Sequence, residues 1–262
     1  MTTYTVSIDT NGSDAALHRM VLAGLPNSYR RVDADAEVVL VSAPDPVELE
    51  QICSSNTSAI VIDRPGLLSS ADLAGIVDVA GRLGCIVVPA PRYAPRLAVE
   101  GDLVAAASVE ILESTITAGG SLRASLVEQL ALVRTVLGAA ASIRVLHASA
   151  SHYAFEATMA EHPKSRVLLN AVASTTRTDE ATLHALGAER RLVVRIDAGP
   201  VARPADVCCY DGEGARRPFP VHQHAHRLTL AQLHGRLTTG EGTPSYSLED
   251  LRHDVQLADA RW

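Results

Sequence analysis

The sequence predicts an α/β protein in two parts: a parallel sheet with flanking helices, followed by an α+β domain with an open-faced antiparallel sheet. Three observations predict it. Short apolar runs alternate with amphipathic stretches through the first hundred residues, the order that produces a parallel sheet with right-handed crossovers. After them the rhythm changes to one long helical stretch and several strand-like runs separated by turns rich in Gly, Pro and Asp. With 262 residues, 47% of them hydrophobic, the chain is long enough for two cores.

The elements follow in order. "TVSIDTNGSDAALHRMVLAGLP", residues 5–26, reads as an apolar strand, a polar turn with one glycine and an amphipathic helix. "AEVVLVSAP", 36–44, is a continuous apolar run of the kind buried on both faces of a parallel sheet. "DPVELEQIC" is a short helix and "SAIVIDRP", 58–65, the next strand. Ser69 or Ser70 then caps a helix whose apolar face is Leu73, Ile76, Val77, Ala80 and Leu83, and Gly84 ends it. "CIVVPAP" completes β-α-β-α-β. In the second part, 104–115 is strand-like, and 119–138 is a helix with Leu122, Leu126, Leu130 and Val133 at helical spacing. "SIRVLHASAS", "RVLLNAVAST", "RRLVVRID" and "ADVCCYD" are strands. "HRLTLAQLHGRL" and "SLEDLRHDVQLADA" are closing helices, the second with Ser247 and Asp250 placed as a capping box. The expected domains are 1–99 and 100–262.

Composition narrows the function. A formal net charge of -7 without a basic face excludes nucleic acid as the expected partner. No apolar run approaches the roughly 18 residues of a membrane helix, and no secretory leader is visible, so the expected location is cytoplasmic. Four cysteines lack C-x-x-C spacing and read as reduced core thiols. "HQHAH" would put His222, His224 and His226 on one face if extended, but a helix follows at once and no fourth ligand is spaced nearby, so no metal is expected. In the strands starting at Arg166 and Arg191, Leu168, Val172 and Val193 fall on the face opposite the expected core. Apolar residues there predict association through the sheet, as a homo-dimer or tetramer.

The strand-turn-helix opening, "SAPD", "VIDRPGLLSSADLAGIVDVAGRLGCIVV", "PRYAP", "GGSLRASLVEQLALVRTVLG" and "GEGTPSYSLEDLRHDVQLADA" together resemble the glucose-fructose oxidoreductase and myo-inositol dehydrogenase (Gfo/Idh/MocA) family over nearly the whole chain. The resemblance implies a Rossmann domain, an open-faced sheet used in oligomer contacts, and hydride transfer between NAD(P) and a sugar, cyclitol or related alcohol. Family members carry Glu-Lys-Pro where this chain has Asp63-Arg64-Pro65. The helix after Gly119-Gly120 supplies, in the family, an aspartate and four residues later a histidine; Ala124 and Glu128 stand there instead.

This chain departs from the family at its cofactor loop as well. A G-x-G-x-x-G pattern falls on Thr10, Gly12 and Ala15, so only the middle glycine survives. Between Pro26 and Ala36 there is no room for a second strand, a ribose-selecting acid and a further helix, and Asp33 and Asp35 lie too close to the next strand for that task. The expected fold is therefore a truncated Rossmann-like domain followed by the α+β sheet domain. The expected function is a repurposed, non-redox small-molecule enzyme with a pocket between the domains and no, or weak, NAD(P) binding. Glu128 and Arg64 are its catalytic candidates, Arg92, Tyr93 and Asp63 its substrate-binding candidates, and Gly12, Ser13 and Pro44 what remains of the cofactor site. The alternatives are a non-catalytic subunit that assembles with itself or a full-length relative, and a residual NAD(P)-dependent oxidoreductase.

Overall fold

The computed structural model describes residues 2–8, 15–98, 109–175, 179–199, 203–220, 222–240 and 244–262. The chain divides into two compact units, Met1–Pro91 with His224–Val255, and Arg92–Gln223 with Gln256–Trp262. Residues 224–255 thus belong with the N-terminal sheet, whereas the sequence reading places everything after residue 99 in the second domain.

Unit 1 runs β1 (Tyr4–Ile8), α1 (Ala15–Ala23), β2 (Tyr29–Arg31), β3 (Val38–Ser42), α2 (Pro46–Ile52), β4 (Ala59–Asp63), a 3₁₀ turn (Pro65–Leu67), α3 (Ser70–Leu83) and β5 (Ile86–Ala90), and regains α6 (Ala225–Thr239) near the end of the chain. Its five strands are all parallel in the order β2-β1-β3-β4-β5. The predicted run of β-α units holds. The short strand β2 went unpredicted because Tyr-Arg-Arg carries no apolar pattern. Every residue of β4 is buried, as expected of a strand covered on both faces.

Local signals in unit 1 act as read. Ser69 and Asp72 form a reciprocal capping box on α3, and Gly84 ends the helix in the left-handed conformation that glycine adopts without a Cβ clash. The buried stripe is Leu73, Ile76, Val79 and Ala80; Val79 replaces Val77 and Leu83, which are half-buried. Helix α6 joins this unit by burying Leu230 and Leu233 in the core with Val6, Val38, Leu40 and Val61. The Tyr29 hydroxyl also donates to the Leu230 carbonyl at 2.8 Å. Burial raises that phenol's pKa, so it remains a donor.

Unit 2 contains α4 (Ala94–Ala98), β6 (Ile111–Ala118), α5 (Leu122–Leu137), β7 (Ala140–Ala148), β8 (His152–Met159), β9 (Arg166–Ala173), β10 (Glu180–Leu186), β11 (Arg191–Asp197), β12 (Asp206–Asp211) and β13 (Gly214–Arg216). The sheet order is β13-β12-β11-β10-β6-β9-β8-β7. It is mixed, because β6 and β9 pair in parallel and all its other neighbours are antiparallel. Helix α5 packs on β6, β8 and β9. The faces divide as the period-two pattern predicts: Val167, Leu169, Ala171, Leu192, Val194 and Ile196 are buried, while Leu168 and Val193 are half-buried and Val172 is 47% exposed. Strands β8 and β10 were not predicted; the buried face of β10, Ala181, Leu183 and Ala185, rests largely on alanine, which carries little β signal, whereas β8 does alternate, burying Tyr153, Phe155, Ala157 and Met159. Helix α7 (Leu248–Asp259) has the predicted cap, with Ser247 and the Asp250 carboxylate hydrogen-bonded reciprocally. Among the described residues, no helix is long and apolar enough to cross a membrane.

Candidate functional site

In an open α/β sheet, ligands bind beyond the carboxyl ends of the strands. At that end of unit 1 the backbone is unusual twice. Ala43, just after β3, and Arg64, just after β4, both have positive φ, 45° and 51°. Each precedes a proline, and neither is a residue that favours the left-handed region; such outliers cost on the order of 1–3 kcal/mol and collect at functional sites. Pro44, a candidate cofactor contact, and Arg64, a catalytic candidate, therefore lie at neighbouring strand ends. Pro44 is buried and Arg64 half-buried.

Asp63, the last residue of β4, is 2% exposed and is approached by two histidines. His226, in the first turn of α6, brings Nε2 to 2.6 Å from Asp63 Oδ1. His18, in α1, brings Nε2 to 3.3 Å from Oδ2. The backbone N–H of Arg64 donates to Oδ1 at 2.8 Å. Burial pushes the Asp63 carboxyl up, but the charge and hydrogen bonds of His226 and His18 outweigh it and hold the group well below the usual carboxylate range. Asp63 Oδ2 and His18 Nε2 face each other as a 3.3 Å ion pair that lacks the alignment of a well-formed hydrogen bond, and each is buried with no other hydrogen-bond partner.

The candidates of unit 2 form a second cluster. The Arg92 backbone N–H donates to Glu128 Oε2 at 2.8 Å. The Arg92 guanidinium pairs with Asp179, whose other oxygen accepts the Gly119 N–H at 2.8 Å. Burial pulls the guanidinium pKa down, but Glu128 and Asp179 more than offset this and raise it. Tyr93 is 2% exposed, and burial pushes its phenol up. Arg96 donates to the Asp197 carbonyl.

Of the sequence candidates, the structure brings Arg92, Tyr93 and Glu128 together in unit 2 and places Asp63 and Arg64 side by side in unit 1. Gly12 and Ser13 lie outside the described residues. The histidines of "HQHAH" do not converge as a trio. His222 is exposed, and His224 caps α6 and stacks on His226 with ring centroids 4.8 Å apart. The partner that sequence reasoning missed is His18. It stands on the buried stripe Ala15, His18, Val21 and Leu22 of α1, and a histidine on an apolar helix face was the available signal.

Between β2 and β3 the chain is shorter than in a full dinucleotide fold. β2 ends at Arg31 and β3 begins at Val38, so only residues 32–37 separate them, with no helix. A dinucleotide fold carries a further helix and strand at this point. β2 itself is present, which corrects the expectation that no second strand could fit.

No protein-family profile and no curated protein matches the sequence. Solved structures do. UDP-N-acetylglucosamine 3-dehydrogenase GnnA from Acidithiobacillus ferrooxidans aligns over 99% of this chain and 97% of its own, with a TM-score of 0.73 at 11% identity. An oxidoreductase from Agrobacterium radiobacter, solved with NAD+, L-tartaric acid and magnesium, aligns over 99% and 95%, with a TM-score of 0.67 at 13% identity. GenD2 from gentamicin A biosynthesis, solved with NAD, aligns over 99% and 93%, with a TM-score of 0.65 at 14% identity. Identities this low speak to fold alone. The parallel sheet of unit 1 and the mixed sheet of unit 2 are accordingly the fold of the Gfo/Idh/MocA-type oxidoreductases.

Proposed function

We propose that this chain is a divergent Gfo/Idh/MocA-type oxidoreductase homologue with an impaired NAD(P) site, repurposed for acid–base chemistry on a small molecule without net hydride transfer. The observation that carries this reading is the direct passage from β2 to β3 through residues 32–37. Without the second helix and third strand of the first mononucleotide half, the adenosine loses the surface that would hold it, and most of the cofactor's binding energy goes with it. Neighbours of the same fold were solved with NAD, so weak binding through the nicotinamide half is consistent with this reading.

The residue types support the same chemistry. Arg64 stands where the resembling family has lysine; a guanidinium holds an anion but does not exchange its proton near neutral pH. Glu128 is the proton-moving candidate of unit 2, held in place by the Arg92 N–H, with Arg92 and Tyr93 as substrate-binding residues. In unit 1, Asp63 and Pro44 are assigned to the ligand end of the sheet. Native mass spectrometry of the purified chain should reveal a co-purifying small molecule. With that molecule as substrate, Glu128→Gln is expected to lower turnover about 100-fold or more at unchanged binding, whereas Arg64→Met weakens binding. Wild-type turnover in Glu128→Gln removes that carboxylate from the mechanism.

The half-exposed apolar face of the unit 2 sheet favours a second role, assembly with itself or with a full-length relative. Leu168, Val172 and Val193 would be covered in such an oligomer.

A further inference from the structure

We propose that unit 1 holds a divalent transition-metal ion of the zinc class, bound by His18 Nε2, the Asp63 carboxylate and His226 Nε2. One ligand atom from each residue lies within 4.8 Å of the others, and the three residues are 2%, 2% and 4% exposed. They come from α1, the end of β4 and the start of α6, so the fold gathers them from three distant places in the sequence.

Counting protons around His226 leads to a cation. The His226 backbone N–H, which can only donate, points at His224 Nδ1, so that nitrogen carries a lone pair. His226 Nδ1 lies 2.9 Å from the same atom and must therefore be the donor of that contact. Neutral His226 then has its lone pair on Nε2, facing the Asp63 carboxylate at 2.6 Å. Two electron-rich atoms at that distance require a positive charge between them, supplied either by a proton or by a metal ion.

The remaining atoms decide in favour of the metal. A proton on His226 would leave His18 Nε2 and Asp63 Oδ2 with only each other, buried, 3.3 Å apart and not aligned for a well-formed hydrogen bond. A metal ion takes both. Their 3.3 Å separation is also that of two corners of a tetrahedron with bonds of about 2.0–2.1 Å, which the corners space at roughly 3.4 Å. The 2.6 Å contact must open by about 0.8 Å to reach the same spacing, a shift within a side-chain rotation. The surroundings match those of metal-binding histidines and carboxylates. His226 passes its other ring proton to His224, and Asp63 Oδ1 is held by the Arg64 N–H. With Asp63 binding through a single oxygen, two imidazoles and one carboxylate leave a fourth position open for a water or a ligand group.

The test uses the full-length chain without a histidine tag, stripped by chelation and titrated with Zn²⁺ alone in a calorimeter. One ion per chain with a Kd below about 1 µM is expected. His18→Ala and Asp63→Asn should weaken binding at least 100-fold. His224→Ala, which removes only the orienting partner, should weaken it about 10-fold or more. Should the ligand variants fail to fold, X-ray absorption of the zinc-loaded wild type reads the same claim, with nitrogen and oxygen neighbours at about 2.0–2.1 Å and no sulfur near 2.3 Å. Binding weaker than about 0.1 mM, a sulfur shell, or affinity unchanged in all three variants overturns the proposal. Because the titration contains no NAD(P), its outcome is independent of the cofactor reading above.

Discussion

Gln129 in unit 2 and Asp63 in unit 1 are both almost wholly buried, at 0% and 2% exposure, yet their surroundings differ. Gln129 Nε2 donates to the carbonyls of Ser114 at 3.0 Å and Asn170 at 2.7 Å, and its Oε1 accepts the Tyr153 hydroxyl at 2.6 Å. Each polar atom of that amide is used, and helix α5 is fastened to the sheet by it. Around Asp63, a carboxylate oxygen and an imidazole nitrogen meet only as a 3.3 Å ion pair without a well-formed hydrogen bond, and strained backbone flanks them at Arg64 and Ala43. A buried polar group that is fully bonded serves the fold. One that is not, at the ligand end of an α/β sheet, is where the proposed binding site lies.

Stability measurements can break that contrast, and the largest effect belongs to unit 2. Replacing Gln129 with Leu leaves the buried Tyr153 phenol without its acceptor and removes the amide's bonds to the Ser114 and Asn170 carbonyls, so urea unfolding should show a loss of about 3–5 kcal/mol. Asp63→Asn, compared in metal-free buffer, should cost clearly less, because residues at binding sites are selected against stability. Equal losses in the two variants would make Asp63 a structural residue and remove the distinction.

The open sheet face sharpens the comparison from another side. Light scattering at micromolar concentration should show at least a dimer, and Leu168→Arg with Val193→Glu should return it to monomer with a stability change of no more than about 0.5 kcal/mol per site. A monomeric wild type, or an oligomer indifferent to both charges, would mean that this face is not the association surface.

The smallest effect concerns Cys53, which burial first, and then the neighbouring Cys85, push up to about 11. The neutral thiol is thus favoured in the fold. Its contribution to stability is complete below the unfolded thiol value of about 8.5 and is lost as the pH rises through the folded value. Since only the thiolate reacts, the alkylation rate of Cys53 should climb with a midpoint near pH 11, and Cys53→Ser should remove that component. A midpoint near 8.5 would show an exposed thiol.

Much of this fold was readable from periodicity, because the strands and helices that bury one clean stripe announce themselves. Helix α3 between Ser69 and Gly84, and the faces of β9 and β11, follow from spacing and caps. Strand β2 and the alanine-rich β10 carry weak local signals and exist through pairing with distant neighbours, whereas β8 carries a readable alternation in Tyr153, Phe155 and Met159. The site divides in the same way. Asp63 and Arg64 stand out as candidates in the sequence because they end a strand in a marked triplet. His18 and His226 are 208 positions apart, and only the return of α6 to the first sheet brings both to Asp63. No pattern along the chain encodes that return.

The central claim is that the dinucleotide site of unit 1 no longer works, and titration of the full chain with NADH and NADPH tests it directly. The sole tryptophan, Trp262, ends the chain, so calorimetry or the fluorescence anisotropy of the reduced cofactor is the better readout. The account predicts dissociation constants no tighter than about 0.1 mM for both cofactors, near -5.5 kcal/mol. A low-micromolar constant for either, about -8 kcal/mol, would contradict it.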